Sequence, residues 1–327
     1  MTNPTPIRTM MIDTADLKRT FKTRTGAVEA VAGVDLHVNA GEIFGFLGPN
    51  GAGKTTTLRM LATLITPTAG DATVAGADLR REPALVRQRI GYVPQGGSTD
   101  PAETGRGELV LQGRLYGMDA ADAKTRAAEV LDKLDLMSAA DRPTATYSGG
   151  MRRRLDVGLG IVHRPQVLFL DEPTTGLDPQ ARARMWDEIK RLREQGTTVF
   201  LTTHYLEEAD ALADRLAIID HGKIVAEGTS SQLKQKVAGD VVTIGVNGAG
   251  ASVLGLVEAM PFVREASHDE ETGLVRLYVD QGETAVPHLL RSLDSAGYAP
   301  SSISLNKPSL DDVFLRQTGR SLREEAA

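Results

Sequence analysis

Hydrophobic residues in this chain fall into short, nearly continuous runs that alternate with longer stretches of mixed spacing. The runs at residues 43–47, 167–170 and 197–203 are typical of strands that are covered on both faces of a parallel sheet. Residues 58–62 and 180–193, which follow the first two runs, have the apolar spacing of helices. Alternating strands and helices predict an α/β fold built on a doubly wound core.

Two parts of this region depart from that alternation. Residues 12–38 alternate apolar and polar positions over short runs, which predicts strands with one buried face. Residues 70–76 and 90–95 predict two more strands. Residues 105–142 have helical spacing and no strand-like run. We therefore expect strands near the N-terminus and a helical insertion over about residues 100–163.

The pattern changes after Gly228. Beyond it, the chain predicts the order strand, helix, strand, strand, helix, strand, which is the split βαβ arrangement of a small α+β domain. The expected organisation is an N-terminal tail at 1–9, an α/β domain at 10–237 and a C-terminal module at 241–327.

The last predicted helix carries an apolar stripe. Leu310, Val313 and Phe314 have the spacing of one helix face, and this stripe suits either the core of the module or a partner. Asp311 and Asp312 lie off the stripe. We therefore expect their replacement to leave folding unchanged.

Composition narrows the class of protein. A chain of 327 residues with 41% hydrophobic residues is long enough for two domains. The formal charge of −6 gives no reason to expect nucleic acid as a partner. The absence of cysteine excludes a disulfide scaffold, a thiol nucleophile and a cysteine-ligated zinc site. Residues 1–11 lack the apolar core of a signal peptide, and no apolar run is long enough to span a bilayer.

One segment carries a recognisable chemistry. The strand at 43–47 leads into a glycine-rich loop with the pattern G-x-x-x-x-G-K-[ST], followed by a predicted helix. The glycines let backbone N–H groups point at an anion, and the helix adds its positive dipole end. Lys54 is expected to bridge the β- and γ-phosphates, and the Thr55 hydroxyl to hold Mg²⁺. The nucleotide-binding residues predicted in this loop are Gly48, Pro49, Asn50, Gly51, Ala52, Gly53, Lys54, Thr55 and Thr56.

More polar side chains follow the ends of predicted strands, namely Gln95, Asp171, Glu172 and His204. In doubly wound sheets the ligand lies outside the carboxyl ends of the strands, so we expect these groups beside Lys54. Asp171 is predicted to hold Mg²⁺ through water. Glu172 is predicted to polarise the attacking water as a general base.

The segment Tyr147-Ser148-Gly149-Gly150-Met151 indicates a family. It resembles the L-S-G-G-Q signature of the ATP-binding cassettes of ABC transporters, and the other motifs occur in the family's order over about residues 10–230. Tyr147 and Met151 depart from that signature. The resemblance implies a P-loop NTPase cassette with a RecA-like core, a β subdomain and a helical insert, followed by the small α+β domain.

The resemblance also implies roles for single residues. Phe21 falls where the family stacks an aromatic ring on adenine, and Gln95 falls at the glutamine that also approaches the metal. Asp178 belongs to the loop that follows the catalytic carboxylates, and His204 matches the catalytic switch histidine. The implied cofactors are ATP and Mg²⁺.

The same resemblance implies a pair of cassettes. In the family, two cassettes face head to tail, and each signature closes on the ATP that the other holds. Ser148, Gly149 and Gly150 would supply the phosphate contacts of that second site, at a helix N-terminus. Because this chain carries one complete set of motifs, a homodimer would have two competent sites.

The C-terminal residues indicate which group of ABC ATPases the chain resembles. Residues 308–315, with the sequence PSLDDVFL, resemble the regulatory end of daunorubicin-type drug-resistance ATPases, and Tyr116-Gly117 fits the same group. This implies export of a drug or lipid through a transmembrane permease subunit that is encoded separately. The chain would then lie at the cytoplasmic face of the membrane as a peripheral subunit.

Other functions remain open from the sequence. A soluble ATPase that acts on ribosomes normally has two cassettes in one chain, and only one phosphate loop is present here. A DNA-repair ATPase has long coiled coils between the phosphate loop and the signature, and the interval from Thr56 to Ser148 is too short for these. Import is a further possibility, against which the C-terminal segment argues. The basic run at residues 152–154 is expected to be a solvated helix face.

Overall fold

The computed structural model describes residues 9–24, 26–236, 239–246, 250–269 and 272–318. These form two compact units that divide between Ser230 and Ser231. The predicted first domain extends to residue 237, seven residues beyond this division. In the described ranges no helix has the length and apolar character needed to cross a membrane.

The first unit has ten strands and seven α-helices within the described residues. Two short 3₁₀ turns, Met137–Ala139 and Thr144–Thr146, join its helices. In chain order the elements are β1 (Met10–Thr23), β2 (Gly26–Asn39), β3 (Ile43–Leu47), α1 (Lys54–Leu61), β4 (Ala69–Val74), β5 (Ala77–Asp78), α2 (Pro83–Arg89), β6 (Ile90–Val93), α3 (Gly105–Leu115), α4 (Ala120–Lys133), α5 (Gly149–Ile161), β7 (Val167–Asp171), α6 (Pro179–Glu194), β8 (Thr198–Thr203), α7 (Leu206–Leu212), β9 (Arg215–Asp220) and β10 (Lys223–Gly228).

The predicted buried strands form the centre of a six-stranded sheet in the order β10-β9-β3-β8-β7-β6. Strands β6, β7, β8, β3 and β9 run parallel, and β10 pairs antiparallel at one edge. The rings of Phe44, Phe46 and Phe169 lie 5.5–5.7 Å from the ring of Phe200, and all four side chains are fully buried. Such aromatic pairs add about 0.5–1.5 kcal/mol each beyond the area they bury. The parallel core is therefore confirmed.

A second, antiparallel sheet has the order β2-β1-β4-β5. The alternation over residues 12–38 predicts short strands, but the structure has two strands of 14 residues each. Register shifts interrupt the β1–β2 pairing, one of them between Thr14 and Leu17, beside Asp16 at a φ of 50°. Each bulge shifts the inward-facing positions, so the alternation breaks although the strand continues.

The helical insertion is confirmed as α3, α4 and α5 with their connecting turns. Each helix begins at a capping side chain: Thr104, Asp119 and Ser148 accept hydrogen bonds from backbone N–H groups of the first turn. Most of the leucines and valines of these helices are buried in one cluster with apolar residues of β6, β7 and β8, whereas Leu111 and Leu115 of α3 are exposed. That shared core holds the insertion against the sheet.

The division falls within α8 (Ser230–Lys236), whose first residue belongs to the first unit and whose other residues belong to the second. The second unit continues with β11 (Asp240–Gly245), α9 (Gly250–Glu258), β12 (Val263–Asp269), β13 (Leu274–Val279), α10 (Gly282–Ser295), β14 (Ser302–Asn306) and α11 (Leu310–Thr318). The sheet order is β12-β13-β11-β14, with antiparallel neighbours. The predicted split βαβ arrangement is therefore confirmed.

Helix α11 corrects one expectation. Leu310, Val313 and Phe314 are buried within the chain itself. Asp311 and Asp312, expected to be off the buried stripe, are also buried, at 5% and 6% exposure. Asp312 accepts hydrogen bonds from the backbone N–H and the hydroxyl of Ser309, at 2.8 and 2.6 Å. The burial of Asp312 and its contacts with Ser309 at the start of the helix therefore argue against the expectation that its replacement leaves folding unchanged.

Candidate nucleotide site

The glycine-rich loop between β3 and α1 is held so closely that side chains would not fit at two of its positions. A Cβ on Gly48 would lie 2.3 Å from the carbonyl oxygen of Ile219, and one on Gly53 would lie 2.5 Å from that of Ala30. Gly53 also has a φ of 107°, which favours glycine. The loop therefore packs closely against β2 and β9.

Lys54 is the first residue of α1 and is only 4% exposed. Its Nζ donates hydrogen bonds to the carbonyl oxygens of Gly48 and Pro49, at 2.7 and 2.9 Å. The same atom lies 3.5 Å from Oε1 of Glu172. Burial lowers the pKa of Lys54, and the charges of Glu172 and Asp171 oppose that shift. The ammonium group is thus positioned at the mouth of the loop.

Asp171 ends β7 and is almost completely buried. Its Oδ1 accepts hydrogen bonds from the hydroxyls of Thr55, at 3.0 Å, and Thr202, at 2.7 Å. Its Oδ2 is buried and has no hydrogen-bond partner within the described ranges. A buried carboxylate oxygen without a donor, next to a hydroxyl, fits the oxygen ligands that Mg²⁺ prefers. These residues are thus compatible with a bound magnesium ion.

Glu172 is the point on which several predicted residues converge. Gln95 Nε2 donates a hydrogen bond to its Oε2 at 2.9 Å, and the Thr175 hydroxyl donates to the same oxygen at 3.3 Å. His204 Nδ1 lies 3.2 Å from Oε2, as an ion-pair contact outside hydrogen-bond angles. Burial would raise the pKa of Glu172, but the contact with His204 and the charge of Lys54 outweigh it and hold that pKa below its ordinary value. The carboxyl is therefore ionised at neutral pH.

The signature segment lies at a different cleft. Ser148 caps α5 by accepting a hydrogen bond from Met151 N, and Asp178 caps α6 by accepting one from Ala181 N. A Cβ on Gly150 would lie 3.1 Å from the Cβ of Ala181, so the two helix starts are close together. They line a cavity of about 370 Å³ together with Gly149. Two helix N-termini that face one cavity favour an anion there.

Both units of the chain match known protein families. Residues 31–175 match the family model of the ABC transporter, and residues 228–318 match that of the C-terminal domain of DrrA1-3-like ATP-binding proteins. The chain is 43% identical to the daunorubicin resistance ATP-binding protein DrrA3 of Streptomyces coeruleorubidus, over 97% of this chain and 100% of that protein. This chain belongs to the ATP-binding subunits of the ABC transporters.

Other relatives point the same way. The chain is 46% identical to the daunorubicin/doxorubicin resistance ATP-binding protein DrrA of Streptomyces peucetius, over 95% of this chain and 93% of that protein. It is 36% identical to the linearmycin resistance ATP-binding protein LnrL of Bacillus subtilis (strain 168), over 96% of this chain and 100% of that protein. Among solved structures, a dimeric ATP-binding cassette in a post-hydrolysis state with ADP and Pi matches with a TM-score of 0.62 and 25% identity, over 67% of this chain and 98% of that one.

One departure from the ABC signature has a structural reason. Tyr147 stands where the family has leucine, and it is buried at 4% exposure. Its hydroxyl donates a hydrogen bond to the carbonyl oxygen of Ala139 at 2.8 Å. A Cβ on Gly105 would lie 2.4 Å from that hydroxyl oxygen, so the glycine leaves room for it. Met151 packs at the edge of the same helical core.

The other predicted residues occupy less central positions. Phe21 is half-buried on β1 opposite Val28 of β2, with the guanidinium of Arg19 4.5 Å from its ring centre. That hairpin borders the phosphate loop through Ala30. Ala52 is buried and accepts a hydrogen bond from Gly222 N at 2.9 Å. Among the remaining loop residues, Asn50 and Gly51 are exposed and Thr56 is half-buried.

Arg153 is a site residue that sequence reasoning missed. The basic run was expected to be solvated, but Arg153 is only 7% exposed. Its guanidinium donates to the carbonyl oxygens of Pro94, Asp171 and Pro173, at 2.6, 3.0 and 2.8 Å. It therefore joins the signature helix to the loops that carry Gln95 and Glu172. The apolar pattern of α5 gives no signal of this burial, because Arg153 lies two positions from both Met151 and Leu155 and so is not on the helix face that they share.

Proposed function

We propose that this ABC ATPase powers the export of a drug or lipid through a separately encoded permease subunit at the cytoplasmic face of a membrane. The observation that carries the site assignment is the convergence of Lys54, Gln95 and His204 on Glu172, next to the phosphate loop. The export assignment is supported by the names of the drug-resistance relatives and by the matched C-terminal domain.

In the proposed mechanism, Lys54 and the loop N–H groups bind the β- and γ-phosphates of ATP. Thr55 and Asp171 would hold Mg²⁺, with Gln95 nearby, and the ion would neutralise charge on the phosphate oxygens. Phe21 would stack on the adenine.

Glu172 would act as the general base. Its carboxylate accepts a proton from water while the water oxygen bonds to the γ-phosphorus. The bond from that phosphorus to the β–γ bridging oxygen breaks, which leaves ADP and phosphate. Because Glu172 is held ionised, it can accept the proton at neutral pH. His204 and Gln95 would orient it through their contacts with Oε2.

We further propose that two copies pair head to tail. Ser148, Gly149 and Gly150 would contact the γ-phosphate of the ATP bound to the partner, and Asp178 would border the same junction. Their cavity is lined by other residues than those around Glu172, which supports a second anion site that needs a second chain. A dimeric cassette among the matched structures supports the same pairing.

A reconstitution experiment tests the proposal. The chain is co-expressed with a candidate permease subunit, and daunorubicin uptake into inverted membrane vesicles is measured with and without ATP. ATP-dependent uptake that Lys54→Ala abolishes is expected. Co-purification with ribosomes or DNA instead of membranes would contradict the proposal, as would uptake that is independent of Lys54.

A further inference from the structure

A buried carboxyl group that the mechanism does not use lies close to the site. Glu208, on α7, is fully buried. Its Oε1 accepts a hydrogen bond from the Thr174 hydroxyl at 2.7 Å and another from Trp186 Nε1 at 3.2 Å. Its Oε2 is buried and makes no hydrogen bond to any residue that the structure describes. Burial raises the pKa of this carboxyl.

A buried carboxyl group with one unpartnered oxygen is expected to lower the stability of the fold. A buried polar atom without a partner costs about 1–3 kcal/mol, and well-packed apolar residues often replace buried charges without loss of stability. Stability alone is therefore a weak reason for Glu208 to occupy this position. Its two hydrogen bonds point to another role.

Thr174, which donates a hydrogen bond to Glu208, lies in the loop between Glu172 and Asp178. Thr174 is fully buried, two residues after Glu172 and four before Asp178. Its carbonyl oxygen accepts a hydrogen bond from Leu177 N at 3.1 Å, so Thr174 also shapes the turn that leads to Asp178. Helix α7 begins two residues after His204. One hydrogen bond thus joins the loop of Glu172 and Asp178 to the helix that follows His204.

We propose that Glu208 is a positioning residue for ATP hydrolysis, which acts through Thr174 to hold Glu172 and Asp178 in a fixed relation to His204. Trp186 is hydrogen-bonded to the same oxygen and is the single tryptophan of the chain. Its fluorescence therefore reports directly on this junction. Glu208 acts only through its neighbours, because its hydrogen bonds go to Thr174 and Trp186.

The first test uses Thr174. Thr174→Val removes the hydroxyl and keeps the shape, whereas Thr174→Ser keeps the hydroxyl. In the full-length chain we expect Thr174→Val to lower kcat for ATP by about tenfold to a hundredfold, the cost of a small misplacement of a catalytic group. KM should be unchanged, because the phosphate loop is not altered. Thr174→Ser should restore turnover.

The second test uses Glu208 and its exposed neighbour. Glu208→Leu removes the accepting oxygen and should lower kcat as Thr174→Val does, while Glu208→Gln keeps such an oxygen and should lose less. Glu207→Leu is the matched control, since Glu207 is exposed. The double variant Thr174→Val with Glu208→Leu should be no slower than the slower single variant, because both substitutions break the same hydrogen bond between Thr174 and Glu208.

Tryptophan fluorescence separates positioning from folding. In a Glu172→Gln background, ATP should change the emission of Trp186, and Thr174→Val should remove that change while the variant remains folded by circular dichroism and still binds ATP. Unchanged kcat in Thr174→Val would overturn the proposal. A rise in KM with kcat unchanged would also overturn it, as would a loss of turnover that Thr174→Ser does not restore. If Glu208→Leu proves unstable, the comparison of Thr174→Val with Thr174→Ser tests the proposal without it.

Discussion

At the scale of single residues, Glu172 combines the chemistry of the site with strain in its backbone. It is a non-glycine residue with a φ of 45°, a conformation that costs about 1–3 kcal/mol and needs support from its surroundings. That support comes from Thr202, whose carbonyl and hydroxyl oxygens accept hydrogen bonds from Glu172 N at 3.2 and 3.1 Å. The strained backbone directs the carboxyl towards Lys54 and Gln95.

The first prediction concerns the charge of Glu172. Glu172→Gln keeps the shape of the side chain but cannot accept the proton from water. ATP turnover should therefore fall by about 10²–10⁴-fold, the usual contribution of a general base, while ATP binding remains. Phosphate release and size-exclusion chromatography with Mg-ATP are the measurements, and a stable dimer is expected. Turnover close to wild type would contradict the role of this carboxylate.

The second prediction follows from the lowered pKa of Glu172. Its pKa in the folded chain is below the unfolded value of about 4.3, so the ionised form stabilises the fold above that pH. This stabilisation is lost as the pH falls through the folded pKa. Urea unfolding across this acidic range should therefore show a steeper loss of stability in wild type than in Glu172→Gln. Parallel curves for the two proteins would contradict the assigned shift.

At the scale of single elements, α11 shows how a charged side chain can belong to the interior. Asp312 caps the helix through Ser309, and its Oδ1 lies 3.5 Å from the Tyr278 hydroxyl and 3.6 Å from Arg276 Nη1 on β13. Burial, with the charge of Asp312 next to it, raises the pKa of Tyr278 to about 12. Asp312 thus connects the helix to the sheet as well as starting it.

The third prediction tests that connection. Asp312→Ala removes the carboxylate half of this cap and leaves the Ser309 N–H and the Tyr278 hydroxyl without their acceptor, whereas the Ser309 hydroxyl still accepts a hydrogen bond from the backbone N–H of residue 312. A loss of about 1–3 kcal/mol in the free energy of unfolding of the second unit is expected. Asp294→Ala, at an exposed position near the end of α10, is the control and should stay within about 0.5 kcal/mol of wild type. Equal melting curves for the two variants would show that the cap carries no stability.

Most of the elements could be predicted from the sequence, because apolar runs and turn residues mark them locally. The polar residues at strand ends were also predictable, since a parallel sheet brings those ends together. The burial of Arg153 was not, because its acceptors are backbone carbonyls from distant loops that leave no trace in the side-chain pattern. The burial of Asp312 was missed although Ser309 stands three residues before it, at the spacing of a capping box, and its contact with Arg276 on a neighbouring strand leaves no local signal.

At the scale of the whole molecule, the two units have separate apolar cores. The first surrounds the parallel sheet, with Phe200 at its centre, and the second lies between β11, β13 and the helices α9 and α10, with Leu277 and Leu289 among its buried residues. Every residue that we assign to ATP binding and hydrolysis lies before the division at Ser230. Nucleotide binding should therefore depend on the first unit alone.

The last prediction tests this independence with a chain that ends at Ser230. Such a chain keeps β1 to β10, the phosphate loop and Glu172, so its affinity for a fluorescent ATP analogue should equal that of the full chain. The same truncation with Lys54→Ala is the control and should not bind. ATP-dependent uptake with the membrane subunit should be lost if the second unit serves assembly. A truncated chain that is folded but has lost its affinity would mean that the second unit contributes to the nucleotide site, whereas full transport activity would remove any role for that unit in assembly.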